Sequence, residues 1–242
     1  MVLKFFIFAV AFLISCTSEE RDSVCDEKSI YYNGCVGGVS SSSGSTQSLD
    51  SVSYGDETYA TVVIGTQTWM ARNLSYNAAG SRCYDNLGNN CATYGRLYDW
   101  AAAMDLPSNC NYNTCSEQIS TKHKGICPSG WHIPSSADWD ALMKAVGGAH
   151  TAGRYLKAAW GWNISDVPIS SATDKYGFSA LPGGHCDNNG YFFYISERGN
   201  WWTSSWDNAT LAYDRYMEYN YEQVQYAALY KSLSLSVRCV KD

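Results

Sequence analysis

The cysteines constrain this chain more than any other feature of its sequence. Ten of them occur in 242 residues, a density that is unusual in a reducing cytosol and typical of exported proteins whose loops are joined by disulfides. Hydrophobic residues make up 45% of the chain, which is enough for a packed core and excludes wholesale disorder. The sequence therefore predicts a folded, exported protein that is stabilised by disulfides.

The N-terminus has the pattern of an export signal. Lys4 precedes an apolar run over residues 5–14, which is followed by the small residue Ser15. This run is shorter than the roughly 20 residues that a membrane-spanning helix needs. The sequence Leu13-Ile14-Ser15-Cys16 resembles the lipobox of bacterial lipoproteins, in which the cysteine becomes lipidated. We therefore expect lipidation at Cys16, and the alternative is an ordinary signal peptide cleaved near Ser15.

Two features bear on where such an anchor would place the protein. By resemblance to Gram-negative lipoproteins, Thr17 in place of an aspartate after Cys16 implies the outer membrane, with the domain on the cell surface or facing the periplasm. Each buried methylene of an acyl chain contributes about 0.8 kcal/mol, so multiple acylation would anchor the chain stably. The formal net charge of −6 argues against binding to anionic lipid by charge alone, and against nucleic acid as a partner.

We predict three regions along the chain. Residues 1–15 are the signal peptide, residues 16–51 are a lipid-anchored tether rich in Ser and Gly, and residues 52–242 are the folded domain. Gly/Ser chains behave as flexible coils, so the linker at residues 36–49 reaches roughly 20 Å. The folded domain is long enough to bury a core without a metal ion.

Three stretches have the patterns of strands. Residues 59–64 are β-branched, and residues 68–74 continue after a turn as a second strand. In the third stretch, residues 233–239, apolar side chains alternate with polar ones, which is the pattern of a strand with one buried face.

Two stretches have the patterns of helices. Residues 98–104 contain strong helix formers and end before Pro107. The clearest helix begins at Ser135 or Ser136, since a serine cap is followed by Asp138 and by a periodic apolar face. Two glycines end it. That apolar face consists of Trp139, Leu142, Met143 and Val146.

Six stretches together resemble the Fibrobacter succinogenes major paralogous domain, over about residues 54–242. The resemblance implies a secreted or surface domain of fibre-degrading or gut bacteria. The stretches that carry it, in chain order, are residues 64–74, 94–104, 127–139, 176–184, 201–205 and 236–242.

A second resemblance concerns the fold. Residues 130–139, residues 202–205 and the final Ser-Val-Arg-Cys stretch are similar to segments of formylglycine-generating-type domains. Those domains have a C-type-lectin-like fold, which implies an α+β architecture with two main helices, small twisted antiparallel sheets and long loops stapled by disulfides. Such an analogy indicates the fold and not the activity.

The cysteines can be paired on this frame, although sequence alone does not fix their connectivity. The short-range candidate disulfides are Cys25–Cys35, Cys83–Cys91 and Cys110–Cys115. Cys127 and Cys239 would close a loop of more than 110 residues, the kind that stabilises most in the chain-entropy model. Cys186 is then left over. It is either a buried free thiol or intermolecular partner, or, with His185, a reactive or metal-binding group.

Aromatic residues concentrate between positions 191 and 230, where thirteen occur in forty residues. Tyr and Trp offer a flat apolar face with a polar tip, which suits the C–H faces and hydroxyls of sugars. The alternative is that the rings fill the core or form cross-strand pairs, the role expected for Phe192, Phe193 and Trp201. The candidate ligand-binding residues are Trp202, Trp206, Tyr213, Tyr216, Tyr219 and Tyr221, with Asp207 and Asn208.

These patterns favour a surface lipoprotein that binds an extracellular polysaccharide without catalysis. We expect no catalytic residue, because hydrolase, phosphate-loop and zinc-protease motifs are missing. We expect no cofactor, although a structural Ca²⁺ on Asp166, Asp174 or Asp187 stays open. The alternatives are a structural or protein-binding surface module, and an oxidase of the formylglycine-generating type.

Overall fold

The computed structural model describes residues 50–164 and 172–242. The predicted signal peptide, most of the tether, and the candidates Cys16, Cys25, Cys35 and Asp166 lie outside these residues. The described residues form an α+β domain. In none of them does a helix have the length and apolar character needed to span a bilayer.

The helices are short. The α-helices are α1 (Gly88–Tyr94), α2 (Trp100–Ala103), α3 (Ser136–Ala145) and α4 (Ala149–Leu156). Single turns of 3-10 helix occur at Tyr84–Asn86, Ser108–Asn111 and Ser116–Gln118. The strands are β1 (Ser51–Tyr54), β2 (Glu57–Ile64), β3 (Gln67–Met70), β4 (Leu97–Tyr98), β5 (Trp131–His132), β6 (Gly183–Cys186), β7 (Phe192–Ile195), β8 (Arg198–Trp206), β9 (Leu211–Glu218), β10 (Ala228–Tyr230), β11 (Leu235–Ser236) and β12 (Val240–Lys241).

The strands form two sheets. The first has the order β1-β2-β3-β12-β5 and is antiparallel throughout. The second has the order β10-β9-β8-β11-β4, and β6 adds to β8 in parallel while pairing with β7. The chain passes from the second sheet into the first between β11 and β12. Its last strand therefore pairs with strands from much earlier in the sequence.

The β8–β9 hairpin separates two apolar cores. Neighbouring side chains of a strand point to opposite faces, so Trp201 and Trp202 enter different cores. Trp201 packs with Trp139 of α3 and with Met217 of β9, whereas Trp202 packs with Trp100 of α2. Both faces of the hairpin are therefore covered along these residues.

The structure confirms the helix predicted after Ser135. The second main helix is not the one predicted at residues 98–104. Ser135 caps α3, because its hydroxyl oxygen accepts from the backbone amide of Asp138 and the carboxylate of Asp138 accepts from the backbone amide of Ser135. Gly147 and Gly148 follow with φ of 106° and 100°, a backbone conformation that favours glycine. Residues 98–104 form only the single turn α2, and α4 is the second main helix.

Of the three predicted strands, the first is confirmed as β2 and the second ends early, at Met70. The third prediction is wrong. Residues 233–239 form no continuous half-buried strand, and residues 234–240 are all buried. The physical reason is that this segment crosses between the two sheets, so protein covers it on every side. Arg238, expected at the surface, is 0% exposed.

Three disulfides join the described residues in the pairings expected from the sequence. They are Cys83–Cys91, Cys110–Cys115 and Cys127–Cys239. Cys186 is the one described cysteine outside these bonds, and it is buried. Burial raises the pKa of its thiol, which makes it less reactive than an exposed cysteine.

Candidate ligand-binding cleft

A cleft of about 660 Å³ lies between helix α3, strand β9 and the segment that leads into β10. Its walls are polar and aromatic, and its floor contains a buried cation. The residues that line it are Ser136, Asp140, Met143, Ala149, Tyr213, Arg215, Gln223, Val224, Gln225 and Tyr226.

The residue spacing on α3 and on β9 explains which side chains form the first two walls of the cleft. Ser136, Asp140 and Met143 are spaced by four and three residues, so they share one side of α3. Tyr213 and Arg215 are two residues apart on β9 and face the same side of the sheet. The helix lies against this face because its apolar residues pack on Trp201 and Met217.

The third wall, residues 223–226, is fixed by bonds to its neighbours. Gln225 and Tyr216 exchange two backbone hydrogen bonds of 2.9 Å, and the amide of Val224 donates to the carbonyl of Ala149. The carboxylate of Asp214 accepts from the amide of Ala227 at 2.8 Å. This wall is therefore attached to β9 and to the start of α4.

Arg215 forms the floor of the cleft and is 5% exposed. Its Nη2 donates to Asp140 Oδ1 at 3.0 Å and to the carbonyl of Ser136 at 3.3 Å. Its Nη1 donates to the carbonyl of Asp214 at 3.2 Å, while its Nε is buried without a hydrogen-bond partner. The guanidinium is thus held rigidly and paired with one carboxylate.

Two tyrosines stand above this ion pair. The ring of Tyr226 is 68% exposed, and its centroid lies 5.4 Å from the guanidinium carbon of Arg215. Tyr213 meets Tyr226 edge-on at 6.5 Å between centroids, and its hydroxyl donates to Asp207 Oδ1 at 3.0 Å. That bond raises the pKa of Tyr213. The cleft therefore offers an open aromatic face beside fixed polar groups.

The predicted tyrosines do not form one surface. Tyr213 and Asp207 belong to the cleft region, whereas Tyr219 and Tyr221 line a second depression of about 280 Å³ with Arg198 and Glu218. Tyr216 is close to that depression, because its ring lies 4.4 Å from the guanidinium carbon of Arg198. The two places lie along β9 and beyond its end.

Other candidates are corrected by their burial. Trp202 is 0% exposed and donates its indole N–H to the carbonyl of Tyr98, so it belongs to the core. Trp206 is half-buried and packs against the same core. The side-chain oxygen of Asn208 accepts hydrogen bonds from the backbone amides of Thr210 and Leu211. These bonds stabilise the turn between β8 and β9.

Of the three residues assigned to the core, Trp201 is buried as predicted. Phe192 is partly buried and packs against a small core cluster. Phe193 is 39% exposed and is not a core residue, but its ring stacks at 5.5 Å on that of His185 across β6 and β7, which is the cross-strand pairing given as the other role.

The loop acids considered for Ca²⁺ have local roles. Asp174 accepts from the amide and hydroxyl of Ser179 at 2.7 and 2.6 Å. Asp187 accepts from the amides of Asn189 and Tyr191 at 2.9 and 2.8 Å. In residues 50–164 and 172–242, no three His, Cys, Asp or Glu side chains lie close enough to hold a metal ion.

Sequence reasoning missed the polar half of the cleft. Arg215 carried a usable signal, because it is two residues from the candidate Tyr213 and would share its face in a strand. Asp140 carried none, since it lies 75 residues away from Arg215 in sequence. Tyr226 was visible only as one member of the aromatic stretch.

These observations define the class of protein as a disulfide-stapled α+β domain with an open cleft lined by polar and aromatic side chains. The model of the Fibrobacter succinogenes major domain matches residues 62–241. The chain therefore belongs to this family, as its motifs predicted. No curated protein and no solved structure matches the chain.

Proposed function

We propose that this protein binds an extracellular polysaccharide through the cleft above Arg215, without catalysing a reaction. The observation that carries the proposal is the open ring of Tyr226, which stands beside the Arg215–Asp140 ion pair. A sugar ring could stack on the tyrosine while its hydroxyls bond to the fixed polar groups. Gln223 adds an amide donor and acceptor on the same wall, whereas the side-chain oxygen of Gln225 accepts from the hydroxyl of Tyr216.

The proposal also covers the type of fold and the cellular location. We propose a C-type-lectin-like fold, supported by the two main helices, the small antiparallel sheets and the disulfide-bonded loops. We further propose that acylation at Cys16 anchors the chain in the outer membrane, so that the tether presents the domain to its ligand. The support for this anchor is the sequence of residues 4–17 alone.

A protein-binding module is the second candidate, and one observation favours it. Strand β7 pairs only with β6 within the described sheets, and the rings of Phe193 and Tyr194 on it are 39% and 49% exposed. Open strand edges with apolar side chains can pair with another chain. The oxidase alternative gains no such support, since Cys239 is in a disulfide and the Cys186 thiol is buried.

Affinity electrophoresis of the full chain in gels containing soluble glycans, with pull-downs on insoluble cellulose, xylan and mucin, tests the binding proposal. Tyr226→Ala removes the open ring, and we expect it to weaken retention about tenfold, on the order of 1.4 kcal/mol. Tyr112→Ala is the matched control, because Tyr112 is 61% exposed and does not line the cleft.

The outcomes separate the candidates. Retention that depends on Tyr226 and not on Tyr112 supports the cleft. Equal retention of both variants, or no retention of the wild type, contradicts it. Cross-linking on intact cells that captures a stoichiometric protein partner through β7 would favour the second candidate instead.

The anchor has its own test. In cells fed a labelled fatty acid, the wild-type chain should incorporate label and fractionate with the outer membrane. Cys16→Ser should lose the label and leave the membrane fraction. Label that persists in the Cys16→Ser variant would contradict lipidation at this position.

A further inference from the structure

We infer that the cleft selects a neutral glycan over an acidic one. This inference rests on the proposed function and concerns the chemical class of its ligand. The inference is based on the burial and pairing of Arg215, the one cation among the lining residues that the structure describes. Arg215 is buried and already paired, so it is not free to receive a carboxylate or sulfate group from a ligand.

The contacts of Arg215 leave little for an anion. One terminal nitrogen bonds to Asp140 and to a carbonyl, and the other bonds to a second carbonyl. The remaining Nε is itself buried, and only 6% of the side chain is exposed. An acidic ligand would have to displace Asp140 to reach the guanidinium. That exchange would leave the displaced carboxylate unpaired beside the bound anion.

The exposed charged side chains that line the cleft or bond to its lining residues are negative, and the exposed cation Lys144 lies one turn of α3 beyond Asp140 without lining the cleft. The side chain of Asp140 is 64% exposed, and Asp207 is exposed beside the hydroxyl of Tyr213. The neighbouring cation Arg154 lies 3.6 Å from the carboxylate of Glu222. Inside the cleft an anionic polymer therefore meets carboxylates, and like charges repel. Hydroxyl groups, in contrast, can donate to Asp140 and bond to the amide of Gln223.

The second depression repeats this arrangement. Arg198 pairs with Glu218 and lies between the rings of Tyr194 and Tyr216, with its guanidinium carbon 5.4 and 4.4 Å from their centroids. Here too the cation is matched by a carboxylate, next to aromatic faces. Both arginines of the β8–β9 hairpin are thus paired with a carboxylate and lie close to a tyrosine ring.

Matched polymers test the inference with the full chain. One pair is hydroxyethylcellulose and carboxymethylcellulose, and a second is arabinoxylan and glucuronoxylan, so that each pair shares a backbone and differs in charge. We expect retention of the neutral member to be about tenfold stronger. Its affinity should change less than about twofold between about 20 and 500 mM NaCl, because salt screens only charge interactions. Tighter binding of the acidic member, weakened by salt, would overturn the inference and leave the proposed function standing. No binding of any polymer would overturn both.

A charge variant sharpens the test. Asp140→Asn keeps an oxygen acceptor for Arg215 and removes the compensating charge. We expect it to strengthen retention of the acidic polymers about threefold or more at low salt, with thermal unfolding confirming an intact fold. Asp56→Asn, at an exposed position outside the cleft, is the control. If Asp140→Asn leaves acidic-polymer retention equal to that of the control, the charge argument fails.

Discussion

Arg238 donates two hydrogen bonds to a single oxygen of Asn73, from Nη2 at 2.7 Å and from Nε at 3.1 Å. The same oxygen accepts from the indole nitrogen of Trp201 at 2.8 Å. All three side chains are buried. The guanidinium also donates to the carbonyls of Phe178 and Ser179. Burial lowers the pKa of Arg238 to about 9, so hydrogen bonds must compensate a costly charge.

This cluster joins five of the six stretches on which the family resemblance rested. Asn73, Phe178, Trp201 and Arg238 come from four of the six stretches that carried the resemblance, and the amide of Asn73 donates to the carbonyl of Tyr94 in a fifth. The motif residues meet in the interior. The cleft is lined mainly by residues outside the motifs, which separates the fold signature from the candidate ligand site.

Asn73→Ala should therefore destabilise the domain strongly. It leaves the buried Arg238 with only the carbonyls of Phe178 and Ser179 as acceptors and the indole N–H of Trp201 with none, and each buried donor left unsatisfied costs about 1–3 kcal/mol. Urea unfolding followed by tryptophan fluorescence measures the change. Asn77→Ala, at an exposed position nearby, should stay within about 0.5 kcal/mol of the wild type. Similar losses in both variants would contradict the role of Asn73.

Asp214 should make stability depend on pH. Burial raises its pKa to about 6, against the hydrogen bonds from Asn200 and Ala227. A carboxyl with a higher pKa in the folded state binds more protons there, so its contribution to stability grows as pH falls from about 6 towards about 4.

Above pH 7 the charged, buried carboxylate is unfavourable, so Asp214→Asn should raise the free energy of unfolding by about 1–3 kcal/mol. The variant can keep its bond to Ala227, and a rotated Asn200 amide can accept from the new amide. Urea unfolding at pH 5 and pH 8 should show that the advantage of the variant is about half as large at the lower pH. An equal advantage at both values would contradict the assignment to Asp214.

The disulfides should differ in their effects. Cys127 and Cys239 are separated by 112 residues, and Cys110 and Cys115 by 5. Chain entropy gives about 4–5 kcal/mol for the long loop and about 2 kcal/mol for the short one. Paired Cys→Ala variants at each bond, compared by urea unfolding, should show this order. The reverse order would contradict the loop-length argument.

Gly153→Ala should disturb the cleft without touching a ligand. A Cβ on Gly153 of α4 would lie 2.6 Å from the carbonyl oxygen of Gln223 and 2.8 Å from that of Glu222. The added methyl must push the 223–226 wall outward, so glycan retention should fall about tenfold, with a loss of stability of about 1–3 kcal/mol. Gly88→Ala in α1 is the control, since no atom lies within 4 Å of its added Cβ. Unchanged retention of Gly153→Ala would contradict the role of this wall.

The sequence by itself determined the elements that depend on local spacing. The cap at Ser135, the apolar face of α3 and the strand β2 follow from residues only a few positions apart, and two of the disulfides close short loops. These features were predictable because their energies come from neighbours in sequence. Family membership was predictable for another reason, since it rests on six short stretches and their order along the chain.

Only the tertiary structure decided what each polar or aromatic side chain faces. Trp202 is buried in the core and Tyr226 is exposed, although both lie in the same aromatic stretch. Arg238 was buried because the chain crosses between the two sheets, which no periodicity reveals. Arg215 forms an ion pair with Asp140 because α3 packs on the β8–β9 hairpin. Contacts across such sequence separations depend on sheet register and helix docking, so the cleft existed only after the fold was complete.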